Sequence, residues 1–307
     1  MTELMTPQFN EGGPSGLGFS ELKPLLHCEK SYQLSEVRGI HKPSAQTPDY
    51  FAEGSFVHAG RARWFAERQS LGEDTWLKIV ADVDKTRLTL PLPCSDLAVR
   101  NALRYLTEYV EHYSVRPKPN IGAVEHLLGP FRVGGDNTER TARLDDWGFY
   151  EEAGGLALGE CKTTSSLTDT LAEYTLHGQP VLQRILWDTA PQGRAMYGPA
   201  KGHVLDVIQK GYGGKKCQFM RVFIPITDRV LEWGKKTLAS ALRRRALIGW
   251  DTDTERNFAG CSYLSGRARI PCQFQNLCTY GQSAALEYAF RDGRGLLEHE
   301  GPVKPWD

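Results

Sequence analysis

Apolar positions recur at helical spacing through the first third of the chain. Ser20 can cap a helix that runs to Leu34, and GSFVHAGRARWFAERQ (54–69) predicts a second helix. His58 and Arg61 share one face of that second helix, because three residues separate them. Ser95 can cap a third helix, DLAVRNALRYLTEYVEHY, which the prolines of RPKPN end.

From about residue 120 the pattern becomes that of β-strands. Apolar runs at 123–133, 141–151 and 155–163 predict neighbouring strands, with Gly154 and Gly155 as the turn between the last two. Further along, the pattern predicts a helix over 169–186, in which HGQP (177–180) is a candidate interruption, then strands over 203–210 and 218–225, and a helix over 228–247. The order predicts an α/β fold with a central mixed β-sheet flanked by helices.

Composition narrows the class of protein. The 307 residues are 40% apolar and 24% charged, which indicates a packed globular chain. No apolar run is long enough to span a membrane, and the N-terminus lacks the features of a signal peptide, so we expect a cytoplasmic protein. The formal net charge is zero, so a nucleic-acid surface would have to be a local basic patch.

The strand cluster carries the strongest candidate chemistry. Glu160 and Lys162 point to the same face of their strand, whereas the Cys161 side chain points to the other. A hairpin brings Asp145 beside them, and two converging carboxylates repel unless a cation separates them. Mg²⁺ or Mn²⁺ suits such a pair, the Cys161 carbonyl can add an oxygen, and Lys162 can orient water or stabilise a phosphate. By itself, E-x-K is commonly a salt bridge at a strand end.

Together these motifs resemble the PD-(D/E)XK nucleases, in particular their RecB-like branch. Asp145 in ARLD and Glu160-Cys161-Lys162 match the signature, with Asp146 as a competitor that fits the branch's G-R-I-D pattern less well than Asp145. His58 in GSFVHAG matches the branch's early-helix histidine. The segment VEHLLGPFRV around Glu125 is similar to the branch's segment before the aspartate strand. The branch also has Q-x-x-x-Y on a following helix. Gln179 matches its glutamine, but Gln183 stands in place of the tyrosine.

This resemblance implies a restriction-endonuclease-like core and a metal-dependent DNA nuclease, with exonuclease action more expected than endonuclease action. The implied catalytic residues are Asp145, Glu160, Lys162 and Gln179. The implied ligands of Mn²⁺ or Mg²⁺ are His58, Asp145, Glu160 and the Cys161 carbonyl. The role of Glu125 stays open between a supporting or DNA-facing carboxylate and a structural one.

Seven cysteines in a cytoplasmic chain argue against a disulfide framework, and three near the end suggest metal ligation. Some RecB-like nucleases hold an iron–sulfur cluster between one early cysteine and three late ones. By resemblance, Cys28, Cys261, Cys272 and Cys278 would hold a [4Fe–4S] cluster that joins the two ends of the chain. Spacing alone leaves zinc open. Residues 1–18 would be a loose N-terminus, 19–285 a single nuclease domain and 286–307 a tail.

The expected partner is DNA, as single strands or duplex ends, with no membrane and with a homo-oligomer or recombination-protein partner possible. Arg61, Arg143 and Lys201 are the candidate DNA contacts, whereas Arg243–Arg245 are better read as a solvated helix face. We expect a role in recombination, repair or phage DNA metabolism, in a bacterial or phage-infected cell. The alternative is a non-catalytic DNA-binding or scaffolding subunit, which only the missing tyrosine favours.

Overall fold

The computed structural model describes residues 8–9, 23, 25–26, 28–132, 139–175, 178–211, 213, 215–254, 262–265, 268–291, 294–299, 301 and 304. The chain forms two compact units. The first comprises residues 1–15, 45–131 and 141–232, and the second comprises 16–44, 132–140 and 233–307. The single domain expected over 19–285 is therefore divided between two units.

The helices are α1 (Glu29–Tyr32), α2 (Asp49–Ala66), α3 (Glu73–Thr89), α4 (Asp96–Ser114), α5 (Leu167–Thr175), α6 (Gly178–Thr189), α7 (Asp228–Leu247) and α8 (Gln275–Tyr280). The strands are β1 (Gln8–Phe9), β2 (Ile40–His41), β3 (Asn120–Arg132), β4 (Glu139–Tyr150), β5 (Gly155–Thr164), β6 (Gly202–Gln209), β7 (Gln218–Pro225), β8 (Ser262–Ser265), β9 (Ala268–Pro271) and β10 (Ala289–Phe290). Gln33–Val37 forms a π-helical turn, Pro191–Ala195 is a turn kinked at Gly193, and Gly281–Glu287 and Leu296–Glu298 form 3₁₀ turns.

The main sheet is mixed, as the sequence predicts, with strand order β1-β3-β4-β5-β6-β7. β4 pairs antiparallel with β5, β5 pairs parallel with β6, and β6 pairs antiparallel with β7. Gly154 has a φ of 57° in the turn between β4 and β5, a left-handed conformation that glycine adopts without strain. The predicted turn is confirmed, and it sets β4 and β5 side by side.

Helices α2, α3 and α4 share the principal apolar core of the first unit with the sheet. Phe56 and Trp64 of α2 are fully buried there, together with Leu106 of α4 and Val124 of β3. Gly60 lets α4 approach α2 closely, because a Cβ at this glycine would lie 2.4 Å from Leu106 Cδ1. This core holds α2 against the sheet.

Several predicted boundaries are confirmed and others move. Ser95 caps α4 by accepting a hydrogen bond from the Ala98 N–H at 3.1 Å. The helix predicted over 169–186, with an interruption near 177–180, is present as the two helices α5 and α6. The sequence did not predict α3, which buries only Thr75, Ile79 and Val83 and is otherwise largely charged. Of the helix predicted over 20–34, the described residues 23, 25 and 26 are helical, Cys28 is not, and α1 then continues into the π turn.

The second unit has its own apolar cluster. Leu34, Phe274, Leu277 and Tyr288 are buried in it, and β2 pairs antiparallel with β10. Leu296 is also buried in this cluster, so the segment predicted as a tail contributes to a core. Within the described part of the chain, no helix combines the length and the apolar character needed to cross a bilayer.

Candidate metal centre

Three side chains from three elements of the first unit converge. His58 lies on α2, Glu125 on β3 and Asp145 on β4, and one ligand atom from each lies within 4.8 Å of the other two. His58 Nδ1 is 3.2 Å from Asp145 Oδ2. All three side chains are partly exposed, at 27% for His58, 14% for Glu125 and 13% for Asp145, so an ion from solvent can reach them.

Strand pairing orients the aspartate. Asp146 pairs with Gly159, so Asp145 and Glu160 each lie one residue beyond that pair at the end of the hairpin ladder. The Cys161 N–H donates to Asp145 Oδ2 at 2.7 Å. Burial acts to raise the pKa of Asp145, but His58 and this N–H outweigh it and hold the pKa well below its ordinary value. Asp145 is therefore an ionised, pre-oriented carboxylate.

Glu125 occupies an unusual backbone position for a strand residue. Its φ is 50°, in the left-handed region that side chains other than glycine rarely adopt. Arg143 Nε lies 2.9 Å from Glu125 Oε2. Burial, followed by the charge of Asp145, raises the pKa of Glu125 to about 7. Strained backbone and crowded carboxylates are common at functional sites.

The charge of Asp145 also shifts the pKa of His58. Burial acts to lower the pKa of His58, but the charge and hydrogen bond of Asp145 prevail and raise it above the ordinary value. A divalent ion would take the place of that proton, because imidazole nitrogen and carboxylate oxygen are both ligands of Mn²⁺.

Glu160 and Lys162 lie together, as alternation on β5 predicts. Lys162 Nζ is 2.5 Å from Glu160 Oε1, which also accepts hydrogen bonds from Tyr174 Oη at 3.0 Å and Gln179 Nε2 at 2.9 Å. Gln183 Nε2 donates to Glu160 Oε2 at 3.1 Å. The Glu160 carboxylate thus has four donors around it and lies outside the three-residue group, so its predicted metal ligation stays a prediction.

The helix after the lysine departs from the family pattern but keeps a polar contact. Gln183 stands where the resemblance expects tyrosine, and its amide reaches both Glu160 and the Arg143 carbonyl, the latter at 3.3 Å. Tyr174, five residues before Gln179, donates its hydroxyl to Glu160 instead. No sequence signal pointed to Tyr174, whereas Glu125 was visible as a lone carboxylate in an apolar strand.

The structure does not support Arg61 as a DNA contact. Its side chain is 2% exposed, and its guanidinium lies 2.8 Å from Asp146 Oδ2 and 3.3 Å from Asp206 Oδ2. The i, i+3 spacing from His58 was read correctly, but the face that these residues share packs against the sheet. Arg61 is therefore a core ion-pair residue.

The other candidate DNA contacts lie at two separate places. Arg143 is 36% exposed beside Glu125, at the edge of the metal group. Lys201 is exposed, and its Nζ donates to the Gly154 carbonyl at 2.7 Å. The Lys201 backbone N–H donates to the Leu156 carbonyl. Leu156 lies four residues before Glu160, so the two residues are about 13 Å apart along β5. Arg143 is the better placed of the two for a substrate at the centre.

Three of the four predicted cluster ligands, Cys28, Cys272 and Cys278, belong to the second unit. Cys28 precedes α1, and Cys272 and Cys278 pack against the apolar cluster there. Cys261 lies outside the described residues, and no three described cysteines form a group close enough to hold one metal ion. Cys94, Cys161 and Cys217 lie in the first unit. Burial raises the pKa of the Cys217 thiol to about 11, as expected of an inert thiol.

Comparison with known proteins adds no family. The chain matches no protein-family model, and no curated protein matches it significantly. The functional argument therefore depends on the site itself.

Proposed function

We propose that the chain is a divalent-metal-dependent nuclease of the RecB-like PD-(D/E)XK kind, which hydrolyses phosphodiester bonds in DNA. The observation that carries this proposal is the convergence of His58, Glu125 and Asp145 on one point, with ligand atoms within 4.8 Å. Glu160 and Lys162 lie on the strand next to Asp145, so ligands and an ammonium group are available at one end of the hairpin.

The donor set fits a hard or borderline divalent ion. Two carboxylates favour Mg²⁺ or Mn²⁺, and the imidazole shifts the preference towards Mn²⁺. The raised pKa of Glu125, about 7, reflects burial and the neighbouring charge of Asp145, which a cation between them would offset. When bound, such an ion polarises the scissile phosphate and lowers the pKa of an attacking water.

The protein groups have separable roles in this mechanism. The Cys161 N–H fixes the Asp145 carboxylate, which would present an oxygen to the metal ion. Lys162 supplies a positive charge for the phosphate. Burial acts to lower the pKa of Lys162, but the charges of Glu160 and Asp145 outweigh burial and raise the pKa above its ordinary value. The ammonium group therefore persists at neutral pH. Glu160 positions Lys162, and Tyr174, Gln179 and Gln183 hold Glu160 in place.

The test is cleavage of end-labelled linear DNA, single- and double-stranded, with Mn²⁺, Mg²⁺ or EDTA. We expect metal-dependent cleavage that Lys162→Ala abolishes, with a product ladder typical of an exonuclease. Lys78→Ala is the matched control, because Lys78 is an exposed lysine paired with Glu67 on the surface. Equal cleavage by Lys162→Ala would refute the catalytic assignment. A folded wild type without any cleavage would favour a non-catalytic DNA-binding subunit.

We also propose that Cys28, Cys261, Cys272 and Cys278 hold a [4Fe–4S] cluster. In support, Cys28, Cys272 and Cys278 belong to the second unit, and Cys272 and Cys278 pack against the apolar cluster that contains Leu34, six residues after Cys28. Anaerobically purified protein should be brown, with iron and sulfide that Cys278→Ala loses. A colourless, stable wild type would refute the cluster, and stoichiometric zinc would replace it.

A further inference from the structure

A basic helix face in the second unit lies outside the candidate metal centre and the proposed cluster. From Trp233 to its end, α7 reads WGKKTLASALRRRAL, with five cationic residues and no acidic one. Leu238, Ala241 and Leu242 are buried and anchor this part of the helix. The opposite face is free to meet a partner.

Four exposed residues align on that face, and we call them the α7 stripe: Trp233, Lys236, Ser240 and Arg243. At 100° per residue they fall within an arc of about 80°. From Trp233 to Arg243 the stripe extends about 15 Å along the helix. It therefore presents one aromatic ring and two cations in a row.

Folding does not account for these side chains. Arg244 and Arg245 lie in the last turn, where cations favour the helix dipole, and Arg244 pairs with Glu29 at 3.2 Å. Among the described residues, no acidic group pairs with Lys236 or Arg243. Trp233 is 55% exposed, and no described ring or cation stacks on it. An exposed tryptophan beside unpaired cations points to a ligand with charge and flat faces.

We infer that the α7 stripe binds single-stranded nucleic acid, with Lys236 and Arg243 on phosphates and Trp233 stacked on a base. The choice of DNA as the strand rests on the proposed nuclease function. Duplex DNA keeps its bases stacked inside, so it would engage the cations without the ring. A lipid surface would require a broad apolar face, whereas the stripe is polar except for Trp233, and Leu247, exposed one turn after Arg243, adds a single apolar side chain.

Fluorescence anisotropy of labelled oligo-dT in EDTA tests the stripe without cleavage. Trp233→Ala should bind at least about fivefold more weakly than wild type, because base stacking is lost. Tyr280→Ala, at a 64% exposed tyrosine of the same unit, should bind like wild type. Lys236→Gln/Arg243→Gln should reduce the slope of log K against log salt by about 1.4, whereas Lys78→Gln/Arg100→Gln should leave it unchanged.

The outcomes separate this inference from the nuclease proposal. Wild-type affinity in both stripe variants, or no binding of oligo-dT by wild type, would overturn the stripe even if the protein cuts DNA. Binding of anionic vesicles that the same variants lose, without a change in oligo-dT binding, would overturn it in favour of a membrane. Stripe-dependent binding without cleavage in Mn²⁺ or Mg²⁺ would support the stripe and refute the nuclease.

Discussion

Asp145 and Asp146 are adjacent on β4 and belong to two different charged groups. Asp145 lies beside His58 in the candidate metal centre, whereas Asp146 lies beside Arg61, one turn further along the same helix. Asp146 is fully buried, and Asp145 remains 13% exposed. A neighbouring pair of carboxylates thus acquires different chemistry from the partner that α2 offers each of them.

In the buried group around Asp146, the charges of two carboxylates are balanced by two guanidinium groups. Arg61 and Arg221 face Asp146 and Asp206, with Arg221 Nη2 3.0 Å from Asp206 Oδ2 and the Tyr109 hydroxyl on the same carboxylate. Guanidinium groups keep their protons and cannot ligate a cation. In the candidate metal centre, the partner of Asp145 is an imidazole, which can exchange a proton for an ion. The partner of each carboxylate and its exposure to solvent therefore distinguish the candidate metal centre from the buried ion-pair group.

The largest expected effect comes from exchanging the two aspartates for asparagine, one at a time. Asp145→Asn should reduce metal-dependent cleavage by about 1,000-fold or more, because a ligand and its charge are lost. Its melting temperature should stay close to that of wild type. Asp146→Asn should keep the activity of each folded molecule and lose stability instead. Equal effects of the two changes on activity would break the comparison.

Breaking the buried group should cost several kcal/mol of stability. Arg61→Met leaves Asp146 buried without its cation, and we expect the free energy of unfolding to fall by about 3–5 kcal/mol in urea titrations. Arg63→Met is the matched control on the same helix, since Arg63 pairs with Asp82 at 2.7 Å near the surface. Its cost should stay near 1 kcal/mol or below. A loss no larger for Arg61→Met than for Arg63→Met would contradict the structural role.

Two histidines extend the comparison to pH. His58 faces a carboxylate, whereas His203 is fully buried, and burial lowers the pKa of His203 to about 3. Between the unfolded value near 6.5 and about 3, the unfolded chain binds one proton more than the folded one. Stability should therefore fall with decreasing pH, by up to about 1.4 kcal/mol per unit from this group. Urea titrations from neutral to acidic pH should show a shallower fall for His203→Gln, and parallel curves would disprove it.

Much of the sheet could be predicted from sequence because its strands are apolar runs bounded by turns. β5 and β7 match the expected ranges closely, and the glycine turn is where the pattern put it. Helix α3 was not predicted, because three buried positions in seventeen residues give too weak a helical periodicity of apolar residues. The division into two units could not be predicted from the sequence either, because the contacts within the second unit join residues far apart in sequence.

The site was predictable where it follows local periodicity. Alternation on β5 placed Glu160 beside Lys162, but it could not show that Glu125, with its left-handed backbone, would reach Asp145. Helical spacing placed His58 and Arg61 on one face, but it could not show that His58 would be partly exposed to solvent and Arg61 buried. Such distinctions depend on tertiary packing, which a single sequence does not display.

The central claim is that His58, Glu125 and Asp145 hold a divalent ion, and direct Mn²⁺ binding tests it. Titration of the purified protein with Mn²⁺, followed by the electron paramagnetic resonance of the free ion, should show a site that Glu125→Gln weakens at least about tenfold. Glu67→Gln, on a partly exposed carboxylate paired with Lys78, is the control and should bind Mn²⁺ like wild type. Equal Mn²⁺ affinity in wild type and Glu125→Gln would contradict the claim.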